Sequence, residues 1–150
     1  MNYEFSIMNF NHTLPLLLLA SACTPSPDVV ESGVSLSLAQ LRYRTVHELR
    51  YDLYFDIPEL ADSPIEARET IRFSLDSLWS VQLDFREEPS KLHQLTVNGS
   101  EVAIDWQAEH IVLPQGALQL GDNAVEIAFT AGEQSLNRRA DYLYTLFVPD

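Results

Sequence analysis

The chain has 150 residues, 46% of them apolar and 21% charged, which fits one globular domain and excludes a disordered or fibrous class. Nine Lys and Arg stand against 22 Asp and Glu, so a formal net charge of −13 excludes the basic footprint that nucleic acid requires. The single cysteine, Cys23, excludes an intramolecular disulfide.

Leu14–Ala22 is a short apolar run that ends in small residues and falls below the length that spans a bilayer. It predicts a signal peptide over residues 1–22. Ala20-Ser21-Ala22-Cys23 resembles a bacterial lipobox, which implies lipid attachment at Cys23, export across the inner membrane, and a membrane-anchored lipoprotein, periplasmic or outer-membrane. An ordinary cleaved signal is the alternative. Residues 23–33 are rich in Pro, Ser and acid and read as a flexible tether.

Ser37-Leu-Ala-Gln40 has capping-box spacing and predicts a short helix through about Arg44, with Leu38 and Leu41 on one face. From Val46 the period changes to two. Leu49, Tyr51, Leu53, Phe55 and Ile57 alternate with polar residues and predict a half-buried strand that stops at Pro58. Ile65–Leu75 predicts a second strand, with Ile71, Phe73 and Leu75 inward. Trp79, Val81, Leu83 and Phe85 predict a third. Leu92–Val97 and Glu101–Ile104 flank Asn98-Gly99, whose tolerance of positive φ predicts a type I′ hairpin. His110–Leu113, Gly121–Phe129 and Tyr142–Val148 complete about eight strands with turn residues between them. The expected fold is an all-β antiparallel sandwich with one short N-terminal helix, occupying residues 34–150. The run Leu143–Val148, closed by Pro149, reads as a buried strand with nothing after it to cover it. The domain is therefore expected to be incomplete at its C-terminus.

Candidate chemistry is sparse. His47-Glu48-Leu49-Arg50-Tyr51 begins like a zinc helix, but Tyr51 stands where the second histidine belongs and the segment has strand period, so His47 and Glu48 read as edge residues. His12, His47, His93 and His110 lack ligand spacing and read as surface or edge residues; no metal, cofactor or catalytic residue is assigned. Glu87-Glu88 reads as a solvated loop. Most aromatics fall on apolar faces and read as core, with Tyr54 the best exposed aromatic.

Ordered pieces carry a family resemblance. Leu38-Ala39 with Arg42, then Tyr51-Asp52-Leu53-Tyr54-Phe55-Asp56-Ile57-Pro58, Glu69-Thr70-Ile71-Arg72-Phe73, Val81-Gln82-Leu83-Asp84-Phe85, Leu95-Thr96-Val97-Asn98-Gly99, Gly121-Asp122-Asn123 and Leu136–Asp150 follow one another. In this order they resemble the N-terminal β-domain of the aminopeptidase N family of zinc metallopeptidases. The resemblance implies a saddle-like β-sandwich that packs on a thermolysin-like catalytic domain of the same polypeptide and walls the entrance for peptide substrate. It also implies that zinc and every catalytic group belong to that missing domain, so this chain alone is expected to be inactive. Leu146 stands where the family often has a Gln facing the substrate's first side chain, and is the one expected pocket wall. A stand-alone β-sandwich lipoprotein that binds a carbohydrate or a protein is the alternative.

Overall fold

A computed structural model describes residues 29–132, 136–139 and 141–144. Cys23, Leu146 and most of the expected Tyr142–Val148 strand lie outside them, as does the expected signal peptide.

The described residues form one α-helix and ten strands, all pairing antiparallel. The cap of helix α1 (Leu36–Thr45) lies two residues before the expected Ser37. Ser35 is the N-cap, its hydroxyl accepting from the Leu38 N–H, and Leu38 is the helix residue that reaches the core. Arg42 and Arg44 lie in the last turn, where positive charge suits the helix dipole.

The large sheet has the order β1-β2-β8-β4-β5, formed by β1 (Val46–Asp56), β2 (Glu66–Leu75), β8 (Gly121–Thr130), β4 (Leu92–Val97) and β5 (Ser100–Glu101). A three-stranded sheet has the order β3-β7-β6, formed by β3 (Gln82–Asp84), β7 (His110–Val112) and β6 (Trp106–Gln107). β9 (Asn137–Arg138) and β10 (Leu143–Tyr144) pair on their own. The two larger sheets bury one core between them. Ile71, Phe73, Leu75, Val125, Ile127, Leu95 and Val97 of the large sheet share this core with Ile111 of the small one and with Val81 and Leu113, which flank its strands. Trp79 closes the end beneath α1, its indole N–H donating at 3.0 Å to Thr45 Oγ1, which itself donates to the Leu41 carbonyl at 2.8 Å.

Two turns carry the hairpins. Asn98 (φ 52°) and Gly99 (φ 78°) have the left-handed backbone expected of them. The β6–β7 turn uses Ala108 (φ 45°) and Glu109 (φ 69°), neither of which advertises that conformation, and so the hairpin has no sequence signal. Asn123 is buried and locks the Asn98 turn to the segment before β8.

Three expectations are corrected. His110 is not at the surface: it is 1% exposed, because β7 is the central strand of the small sheet. Glu87 is not freely solvated; its carboxylate accepts from the Lys91 ammonium at 2.9 Å, one helical turn away in sequence. The alternating strand β1 forms in place, but its apolar face is open. Leu49, Tyr51 and Leu53 are 48%, 55% and 56% exposed. They share a face with Ile71 and Ala67 of β2, opposite which Tyr51 and Phe55 stand in register. The small sheet covers that face only over the other strands, and β1 extends beyond its cover.

Candidate functional site

The uncovered inner face of β1 is the floor of an open cleft of about 360 Å³. One wall is the edge strand β3 with the residues beside it, Val81, Leu83 and Phe85. The end is closed by α1 through Arg42 and Tyr43. The cleft exists because both sheets end here: β1 and β3 are the outer strands of their sheets on the same side of the sandwich.

Arg42 organises the β3 wall. Its guanidinium grips the Asp84 carboxylate in a fork, at 2.7 and 3.2 Å, and donates at 2.6 Å to the Gln82 carbonyl. That carbonyl belongs to the free edge of β3, so Arg42 also blocks the edge against further pairing. Behind Asp84 stands His110. Its Nδ1 lies 2.8 Å from the Ala108 carbonyl, which fixes that nitrogen as the N–H donor. Its Nε2 lies 3.1 Å from Asp84 Oδ1, but out of line for a hydrogen bond, and has no hydrogen-bond partner among the described residues. Phe85 is pinned at the far end, where its N–H donates to the Glu109 carbonyl at 2.8 Å and its carbonyl accepts from the Trp106 indole at 3.0 Å. Its ring stands edge-on to Phe129, with centroids 5.8 Å apart.

The floor carries two polar groups among the apolar ones. Burial pushes the Glu69 carboxyl above its ordinary value, so it keeps its proton to higher pH than an exposed glutamate. Burial also raises the Tyr51 phenol, with the Glu69 charge adding to the effect. Leu53 stands in register opposite Glu69 on the neighbouring strand, and among the described residues no basic side chain pairs with the carboxyl. A cleft of this kind, apolar, half-open, bounded by strands and holding a carboxyl of reduced acidity, suits an extended apolar segment of polypeptide better than a charged small molecule.

Tyr54 is exposed on the outer face, as its place in the alternation required, and Tyr43 and Tyr51 are exposed at the cleft. The alternation read Tyr51 as core; its exposure follows from the missing cover. His47 faces Asp76 at 2.7 Å at the strand edge, and no third ligand joins it. Among the described residues no group of three His, Cys, Asp or Glu could hold a metal ion, and no helix is long and apolar enough to cross a membrane. The chain matches no protein-family model, and no curated protein matches it.

Proposed function

We propose that this chain is the non-catalytic N-terminal β-domain of a secreted, lipid-anchored zinc aminopeptidase, where it walls and gates the approach of peptide substrate to a catalytic domain of the same polypeptide. The observation that carries this proposal is the uncovered apolar floor. Leu49, Tyr51 and Leu53 line one face of a well-formed strand, as a surface does that another protein layer covers. The order of the sequence pieces from Leu38 to Asp150, with its resemblance to the aminopeptidase N family, supports this choice of layer. On this reading zinc belongs to that layer, as the family resemblance implies. The alternative of a stand-alone binding lipoprotein draws on the exposed Tyr43 and Tyr51 at the cleft.

The test has two arms. The purified chain should cleave no aminoacyl reporter, with or without added zinc, and should hold no stoichiometric zinc. The coding sequence beyond codon 150 should continue in frame into a His-Glu-x-x-His motif. Hydrolysis by the pure chain, or an in-frame continuation without that motif, overturns the proposal.

A further inference from the structure

Among the described residues the outer edge of β1 pairs with no other strand. From Arg50 to Asp56 the ladder with β2 is regular; the only irregularity lies before it, between His47 and Arg50, where Glu48 has φ 52°. Edge strands are ordinarily blunted by Pro, Lys or a bulge. Residues 50–56 contain none of these; their charges, Arg50, Asp52 and Asp56, are of both signs and can be matched by a partner strand.

Two of the three charges on this stretch, Arg50 and Asp56, are poorly placed towards β2. Arg50 stands directly opposite Arg72, and Asp56 directly opposite Glu66, so each faces a like charge on β2. Like charges opposite one another in a sheet are destabilising. Arg72 is engaged by Asp52, and among the described residues neither Arg50 nor Asp56 makes an ion pair. Among the described residues no neighbour on the outer side sets an acid beside Arg50 or a base beside Asp56.

A second copy of the same strand supplies both. We propose that the chain forms an isologous dimer by antiparallel pairing of its β1 edges about a two-fold axis at Leu53. In that register Arg50 meets Asp56 of the other copy, twice by symmetry. Tyr51 meets Phe55, Leu53 meets its own equivalent, and Asp52 meets the Tyr54 hydroxyl. Every apolar residue falls on the apolar face and every charge meets an opposite charge or a hydrogen-bonding group. Neighbouring registers do worse. An axis at Asp52 sets that aspartate against itself, and one at Tyr54 sets Asp52 against Asp56. One at Tyr51 runs into the irregularity at Glu48. The two large sheets then form one continuous sheet, and the two apolar cleft floors become adjacent. This dimer concerns the strand edge and is independent of the peptidase proposal.

The test is sedimentation equilibrium at about 0.15 M salt, where the mutual repulsion of two acidic chains is screened beyond roughly 8 Å. The wild-type chain should show twice the chain mass at micromolar concentrations. Arg50→Asp alone and Asp56→Arg alone each place two like-charge pairs across the interface and should weaken the dimer by roughly tenfold or more. Either change removes a like-charge pair within the monomer, so thermal melts should show the fold retained. An equimolar mixture of the two single variants should form a heterodimer, because Asp at 50 in one then meets Arg at 56 in the other. The double variant Arg50→Asp with Asp56→Arg should regain the wild-type dimer. A monomeric wild type, single variants that dimerise as well as wild type, or a mixture that stays monomeric each overturns the proposal.

Discussion

Asn123→Ala removes four hydrogen bonds from one buried side chain. Asn123 Oδ1 accepts from the Gln119 N–H at 2.9 Å and from the Asn98 amide at 3.0 Å; Nδ2 donates to the carbonyls of Gln119 at 2.8 Å and Gly121 at 2.9 Å. Asn98 and Gln119 are themselves exposed, so water recovers part of the loss and the net figure of about 0.5–1.5 kcal/mol per bond applies, not the full desolvation cost. The expected destabilisation is about 3 kcal/mol, and for a domain of this size it lowers Tm by roughly 10 °C. Asn123→Asp sharpens the test. It keeps the shape and both accepted bonds, but turns a carboxylate oxygen onto the Gln119 and Gly121 carbonyls. At neutral pH it should be at least as destabilising as the alanine. That site raises the new carboxyl's pKa in the folded state, so the folded protein binds the proton more tightly than the unfolded chain. Stability should therefore recover as pH falls towards 4. Thermal melts followed by circular dichroism at pH 7 and pH 4 read both effects. An Asn123→Asp protein as stable as wild type at pH 7, or an alanine variant within about 0.5 kcal/mol of wild type, refutes the idea that this side chain locks the two turns.

Glu69→Gln should raise stability at neutral pH. The folded carboxyl holds its proton above the ordinary value of 4.5, so the wild-type protein loses stability as pH rises from there, and the glutamine variant should show a flatter profile in chemical denaturation. Thr45→Val leaves the buried Trp79 indole N–H without its acceptor and should cost about 1–3 kcal/mol, read as a shift in denaturation midpoint. Ala108→Asn with Glu109→Gly relieves two left-handed residues and should raise Tm by several degrees, since each costs about 1 kcal/mol there. An unchanged Tm would mean the turn is not strained.

The strands were legible where local chemistry and burial agree. Asn98-Gly99 has only one comfortable hairpin geometry, and Ile71, Phe73 and Leu75 alternate because one face of β2 is core. The helix was legible in kind, but Ser35 and Ser37 both offer a hydroxyl, and only the hydrogen bond to the Leu38 N–H decides between them. The β6–β7 hairpin was invisible because Ala108 and Glu109 accept a backbone for which neither residue type signals a preference. His110 misled for a different reason: a histidine in a three-residue strand carries no periodicity, and its burial follows from β7 being paired on both sides. The cleft was hidden by its own regularity. The pattern of Leu49, Tyr51 and Leu53 announces a face that wants cover, and pattern alone does not say whether cover is present.

Helix α1 passes into strand β1 with no residue between them, Thr45 ending one and Val46 beginning the other. The joint is stiffened because the Thr45 hydroxyl is tied both to the turn below it and to the indole beneath. Helix and strand are therefore joined into one bent element. The same element that supplies the outer strand therefore also reaches across to the opposite wall, where Arg42 holds Asp84.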